Sequence, residues 1–146
     1  MPGLPQWSKS DFSVLTAAGS ADTLRGMPVP PSVLIVDASA DNREVLCTAL
    51  ARRGMTIFEA EAASEGLELA RAHHPDVILL DLEADPAERQ AVREQFAAAA
   101  SVHDGQLIVV GKVRHAPVFA GGHTISKPYH FAPLIHTIER MAAKAA

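Results

Sequence analysis

The apolar run Val77–Leu80 passes without a polar break into Asp81, and it restricts the fold more than any other feature of the sequence. A short continuous apolar run is typical of a strand that is buried on both faces, as in a parallel sheet covered by helices on its two sides. The segment 32–37 is a second run of this kind, and 55–60, 106–111 and 123–126 are also predicted to be strands, which makes five in all.

Helical patterns separate these strands along most of the chain. A helix is predicted over 41–53, where Asp41 and Glu44 resemble a capping box and Gly54 is a suitable stop. Further helices are predicted between Ala63 and Pro75, over about 87–101, and from near Pro133 onwards. The segment 112–122 contains Pro117 and two glycines, so we expect only a loop or a short turn there. The alternation predicts an α/β fold.

Composition favours one ordinary globular domain preceded by an extension. The chain has 146 residues, of which 48% are hydrophobic and 21% charged. Residues 1–31 carry five prolines and little apolar sequence, so we interpret them as a flexible extension and 32–146 as the domain. A docking peptide around Trp7 and Phe12 is the alternative for the extension, and Met27 is a possible translation start.

Charge, cysteine content and hydropathy exclude several classes of function. The formal net charge of −4 gives no general attraction to nucleic acid or to anionic lipid. No apolar run approaches the roughly 20 residues that span a bilayer. Cys47 is the single cysteine, which excludes an intrachain disulfide and a paired-cysteine metal motif. We therefore expect a cytoplasmic protein that binds neither nucleic acid directly nor a membrane.

Ionisable residues follow three of the predicted strands. Asp37 follows the first strand, Asp81 ends the third, and Lys127 follows the fifth. In open parallel sheets, ligands bind outside the carboxyl ends of the strands. If these three strands are neighbours in a flavodoxin-like order, the two carboxylates and the ammonium converge on one pocket. The alternative is that Asp81 caps the next helix and that Lys127 is only a surface charge.

Such a pocket has the chemistry of phosphoryl transfer. Two carboxylates can hold Mg²⁺ while one of them attacks phosphorus, because the metal offsets the repulsion between an anionic nucleophile and an anionic donor. An ammonium group on the other side neutralises a phosphoryl oxygen. No glycine-rich phosphate loop, catalytic triad or histidine metal motif accompanies these residues, so we do not expect an enzyme.

Over about 32–143 the sequence resembles the receiver domains of two-component systems. The resemblance is carried by the segment at 33–46, by PDVILLDLEAD around Asp81, and by SKPY at 126–129. It implies a flavodoxin-like (βα)5 three-layer sandwich with strand order 2-1-3-4-5. By position it implies that Asp81 is the phosphoacceptor, that Lys127 is the lysine of the family pattern, and that Mg²⁺ is bound by three groups: Asp37, Asp81 and the backbone carbonyl of Glu83.

The resemblance fails at several of the positions that matter for this chemistry. Ala38 stands at the second place of the family's acidic pair, so we expect Mg²⁺ binding to be weakened or absent. Gly111 stands where the family has Ser or Thr, and Thr124 where an aromatic switch residue is common. The stretch between Gly111 and Lys127 is short, which implies that the helix between the fourth and fifth strands is short or missing.

Three functions are compatible with the sequence. The first is a stand-alone response regulator in a phosphorelay, which accepts a phosphoryl group on Asp81 from a sensor histidine kinase or phosphotransfer protein and then signals to a downstream protein partner. The second is a degenerate pseudo-receiver that binds protein without phosphorylation, which Ala38 and Gly111 favour. The third is an unrelated flavodoxin-like enzyme or nucleotide binder that uses the same crevice.

Overall fold

A computed structural model describes residues 29–81, 86–111, 122–127 and 129–145. The predictions for the extension at 1–28, for Glu83 and for the reduced segment at 112–121 lie outside the described residues. The described elements, in chain order, are β1 (Ser32–Val36), α1 (Ala40–Arg52), β2 (Thr56–Ala60), α2 (Ala63–His73), β3 (Val77–Asp81), α3 (Pro86–Ser101), β4 (Gln106–Gly111), β5 (Gly122–Ser126) and α4 (Phe131–Ala145).

The five strands form one parallel sheet in the order β2-β1-β3-β4-β5. This confirms the predicted flavodoxin-like α/β fold and its strand order. Of the three strands whose ends carry Asp37, Asp81 and Lys127, β1 and β3 are neighbours, whereas β5 is separated from β3, as the predicted order requires. β4 lies between them, with Asp81 of β3 in register with Val110 of β4. The side chain of Lys127 must therefore reach past the end of β4 to meet Asp81.

The sheet separates two apolar cores, because side chains alternate between the faces of each strand. On one face, odd-numbered residues of β1 and β3 pack with α1 and α4. This first core comprises Val33, Ile35, Leu46, Leu50, Met55, Val77, Leu79, Ile108, Val110, Leu134, Ile135, Ile138, Met141 and Ala142. The second core, against α2 and α3, comprises Leu34, Val36, Ala60, Ala70, Ile78, Leu80, Phe96, Ala100 and Leu107. The predicted three-layer sandwich is thus confirmed.

The first helix, α1, begins at a different cap from the one predicted. Ser39 is the N-cap, and its hydroxyl accepts a hydrogen bond of 3.2 Å from the backbone N–H of Asn42. The prediction that Asp41 opens a capping box was wrong, since Asp41 already lies inside the first turn. Gly54 follows the helix with φ of 84°, a conformation that glycine adopts without steric cost. No helix in the described ranges is long and apolar enough to cross a membrane.

The approach of α2 to the sheet depends on a buried glycine. A Cβ atom at Gly66 would lie 2.6 Å from Cγ2 of Val36 and 3.2 Å from Cζ of Phe96. Both neighbours are fully buried members of the second core. Since Val36 is the last residue of β1, α2 packs closely against the carboxyl end of that strand, just before Asp37.

Candidate functional site

Asp81 and Lys127 form an ion pair at the carboxyl edge of the sheet. Oδ2 of Asp81 lies 2.8 Å from Nζ of Lys127, and the two side chains are 4% and 23% exposed, respectively. The backbone N–H of Lys127 donates a 3.0 Å hydrogen bond to the carbonyl of Gly111, which continues the pairing of β4 and β5. The end of β4 therefore fixes the backbone from which the lysine reaches Asp81.

Asp37 lies beside Asp81 because β1 and β3 are adjacent strands in register, with Val36 opposite Leu80. Its side chain is buried, at 5% exposure. Oδ1 accepts a 2.8 Å hydrogen bond from the backbone N–H of Ser39, and Oδ2 accepts one of 3.3 Å from the side-chain amide of Asn42. Asp37 is therefore held by the first turn of α1, whose N–H groups have no partners within the helix.

Arg43 connects this turn of α1 to the ends of β1 and β2. Its Nη1 donates to the backbone carbonyl of Asp37, and its Nε lies 3.1 Å from Oε1 of Glu59 on β2. The arginine side chain is mostly buried, so the contact is less screened by solvent than a surface ion pair. The backbone N–H of Asp37 also donates a 3.0 Å hydrogen bond to the carbonyl of Ala60. The backbone at Asp37 is therefore held through both its N–H and its carbonyl.

Tyr129 is a residue of the site that the sequence did not single out. Its ring is half-buried against the first core and meets Phe131 edge-on, at 5.6 Å between ring centroids. Burial, followed by the carboxylates of Asp37 and Asp81, raises the pKa of the phenol from its ordinary value of 10.0, while Lys127 opposes this. The hydroxyl therefore stays protonated near the carboxylates. Its place within SKPY, two residues after Lys127, is the sequence signal that could have found it.

Of the remaining predicted positions that the structure describes, two lie at the same edge and one does not. Ala38 is exposed directly after Asp37, and Gly111 is buried at the end of β4. Thr124 is exposed on β5 and pairs with Val109. It therefore lies before the carboxyl ends of the strands, where the charged residues are found. The structure thus brings Asp81 and Lys127 into contact, places Asp37 on the neighbouring strand, and leaves Thr124 outside the group.

The donor set suits a hard divalent cation. Asp37 and Asp81 are buried carboxylates at adjacent strand ends, and Mg²⁺ is commonly held by one or two carboxylates with the rest of its shell made of water and phosphate oxygens. The described ranges contain no group of three or more His, Cys, Asp or Glu side chains that could hold a metal. An ion at Asp37 and Asp81 would take the rest of its ligands from other oxygen atoms, such as those of water, of a phosphoryl group or of the backbone carbonyl of Glu83, a predicted ligand outside the described residues.

Comparison with known proteins shows which family the first half of this domain is similar to. Residues 33–86 match the family described as the response regulator receiver domain. Over 51 residues the chain is 47% identical to the KDP operon transcriptional regulatory protein KdpE of Escherichia coli (strain K12), a match that covers 35% of this chain and 23% of that protein. The match therefore spans less than a quarter of the length of this relative.

Solved structures agree with the fold. The chain is similar to a CheY-like response regulator receiver domain protein from Methanospirillum hungatei JF-1, with a TM-score of 0.67 and 20% identity, over 80% of this chain and 97% of the other. It is also similar to the chemotaxis protein CheY4 of Vibrio cholerae, with a TM-score of 0.58 and 23% identity, over 77% and 99% of the two chains. The match over 33–86 makes this part of the chain similar to response regulator receiver domains, and the two solved structures, at 20% and 23% identity, show that the fold is shared.

Proposed function

We propose that this receiver domain accepts a phosphoryl group on Asp81 from a sensor histidine kinase or a phosphotransfer protein. The observation that carries the proposal is the ion pair, at 2.8 Å, between the partly exposed Lys127 and the buried Asp81, which ends the strand next to the one that Asp37 follows. A nucleophilic carboxylate, a fixed cation and a second carboxylate at one edge of the sheet are the groups that phosphoryl transfer to aspartate requires.

In the proposed reaction, a carboxylate oxygen of Asp81 forms a bond to phosphorus while the bond from phosphorus to the donor's imidazole nitrogen breaks. The imidazole leaves with that electron pair and takes up a proton. Lys127 neutralises negative charge at the phosphoryl oxygens as Asp81 loses its own charge. Mg²⁺, held by Asp37 and Asp81, would neutralise the charge that the nucleophile and the donor share.

Two substitutions define how this domain would differ from a fully equipped receiver. With Ala38, a single carboxylate follows β1, so we expect the domain to require more Mg²⁺ for the same occupancy. With Gly111, no hydroxyl extends from the end of β4 toward a phosphoryl group, so that hydrogen bond must come from elsewhere or be lost. We propose that the phosphorylated domain acts in the cytoplasm by changing its affinity for a downstream protein, without turnover of a small substrate.

The test is phosphorylation by a small phosphodonor in the presence of Mg²⁺, measured by intact-protein mass spectrometry. The wild-type chain should gain the mass of one phosphate, and Asp81→Asn should not. Asp104→Asn is the matched control, because Asp104 is exposed at the opposite edge of the sheet, before β4, with φ of 58°, a conformation that asparagine also tolerates. An adduct in Asp104→Asn but not in Asp81→Asn supports the proposal.

Absence of any adduct from the wild-type chain, with phosphodonor and Mg²⁺ in excess, would sink the phosphoacceptor role of Asp81. The domain would then be a pseudo-receiver that binds its partners independently of phosphorylation. An adduct that persists in Asp81→Asn would place the modification on another residue. Release of free product at many turnovers per chain would instead indicate an enzyme.

A further inference from the structure

Both carboxylate oxygens of Asp37 accept hydrogen bonds from residues at the start of α1, which therefore orients this carboxylate. Ser39 donates its backbone N–H to Oδ1 and Asn42 its side-chain amide to Oδ2. A carboxylate offers about four acceptor positions, so each oxygen keeps roughly one position for a cation or for a water molecule that the cation holds. The hydrogen bonds therefore fix the carboxylate without using up its capacity to bind.

Such fixation has a particular value where position 38 is alanine. A lone carboxylate that rotates freely loses side-chain entropy when it binds an ion, and here no second carboxylate follows β1 to share that cost. Hydrogen bonds from neighbouring groups to ligating carboxylates orient them in advance, and removing such a group commonly lowers metal affinity about 10- to 100-fold.

Asn42 is itself held in the place that this role requires. Its backbone N–H donates to the hydroxyl of Ser39 at 3.2 Å, which sets the start of α1. Arg43, the next residue, bonds the carbonyl of Asp37 and the carboxylate of Glu59. Asn42 is half-buried between these contacts, so its amide has little freedom to turn away from Asp37.

We infer that Asn42 is a positioning residue for the divalent cation of this site, whose side-chain amide holds Oδ2 of Asp37 so that a single carboxylate on β1 suffices for binding. The inference deepens the proposed function and rests on it for the place of the cation. It assigns to Asn42 no contact with the phosphoryl group.

The test measures binding of Mn²⁺ alone to the full chain, by the loss of the free-ion signal in electron paramagnetic resonance. Asn42→Ala should bind Mn²⁺ about 10-fold more weakly or worse than the wild type. Thr48→Ala, an exposed position on the same helix, should bind it as the wild type does. In urea without cation, a purely structural role would lower the unfolding midpoint of Asn42→Ala and leave its Mn²⁺ affinity, measured on the folded chain, unchanged.

Asn42→Asp keeps the size of the side chain and replaces the amide donor with a second carboxylate next to Asp37. We expect repulsion to lower its unfolding midpoint without cation, and Mn²⁺ to raise that midpoint by more than it does in the wild type. Equal Mn²⁺ affinity in Asn42→Ala and Thr48→Ala would overturn the inference, as would the lack of saturable binding in the wild type. A phosphate adduct on Asp81 in that same wild type would leave the proposed function standing, so the two failures are distinguishable.

Discussion

One aspartate, Asp76, directly precedes β3 and another, Asp81, ends it, and the two carboxylates are stabilised in opposite ways. At the amino end, Oδ2 of Asp76 accepts a 2.8 Å hydrogen bond from the backbone N–H of Ser32, while the N–H of Asp76 donates to the carbonyl and hydroxyl of Ser32. At the carboxyl end, Asp81 lies against the ammonium of Lys127. One carboxylate is held by neutral backbone groups and the other by a cation.

The difference follows from the direction of the strands. At the amino edge, a strand begins with a backbone N–H that can satisfy a carboxylate, as Ser32 does for Asp76. At the carboxyl edge, strands end in carbonyl groups, such as that of Gly111, which can only accept hydrogen bonds. A carboxylate there needs donors from elsewhere, and it takes them from a lysine or from the start of a helix. The proposed cation would meet carboxylate and carbonyl oxygens at this edge, and the proposed phosphoryl group would meet the ammonium of Lys127.

Among changes that compare the two edges of the sheet, removal of the Lys127 ammonium should lower the free energy of unfolding the most. We expect Lys127→Met to lower the free energy of unfolding by about 2–3 kcal/mol, since it leaves Asp81 buried beside no ammonium, with some relief because the lysine is partly exposed. Urea denaturation at neutral pH measures the change. The double variant Asp81→Asn/Lys127→Met should recover much of the loss, and additive losses would contradict the pairing.

Packing under the carboxyl edge gives the next largest effect. Gly66→Ala places a methyl group 2.6 Å from Cγ2 of Val36, in a buried position, and should cost about 1–3 kcal/mol of unfolding free energy. Ala72→Gly, at an exposed position on the same helix, would show the cost of helix propensity alone, about 1 kcal/mol. A Gly66→Ala protein as stable as the wild type would mean that α2 can move away from β1 freely.

At the amino edge, we expect Asp76→Ala to cost about 1–2 kcal/mol, because the N–H of Ser32 loses a charged acceptor. The same variant should accept phosphate from a small donor as well as the wild type does. Denaturation and mass spectrometry on one sample measure both properties. Loss of phosphorylation in correctly folded Asp76→Ala would show that the two edges are not independent.

The smallest expected effect is the pH dependence contributed by Tyr129. Its pKa is raised in the folded state, so the neutral phenol favours folding below the ordinary pKa of 10.0, and this contribution is lost as the pH rises through the raised value. Because the chain has one tyrosine, the near-ultraviolet absorbance of its phenolate reports the titration directly. Tyr129→Phe should show a flatter fall in unfolding free energy above about pH 10. A titration at the ordinary value would contradict the placement of the phenol.

Most of the fold could be predicted from the sequence, because parallel strands that are buried on both faces have continuous apolar sequences such as Val77–Leu80. The positions of Asp37, Asp81 and Lys127 at strand ends followed from the same runs. The reach of the Lys127 side chain past the end of β4 to Asp81 could not be predicted, because the sequence marks where strands end and does not mark where a side chain extends. The cap at Ser39 was missed because Asp41 and Glu44 offered a competing pattern with the same spacing.

The contacts that define the site in detail were beyond the sequence for a physical reason. The hydrogen bond from Asn42 to Asp37 depends on how α1 turns onto the sheet, and the influence of the carboxylates on Tyr129 depends on how α4 follows β5. Neither residue belongs to a periodic pattern, and both act through side chains from separate elements. Packing of helices on the sheet, which no local signal encodes, determines these contacts.

The alternation of side chains across the sheet also bears on how such a domain can diverge. Neighbouring residues of β1, such as Leu34 and Ile35, belong to different cores and share no packing partners within those cores. Substitutions on opposite faces should therefore combine nearly additively, whereas substitutions within one core should compensate for or aggravate each other. One helical layer can thus change its sequence, and with it the surface it presents to partners, while the other layer and the charged edge are inherited intact.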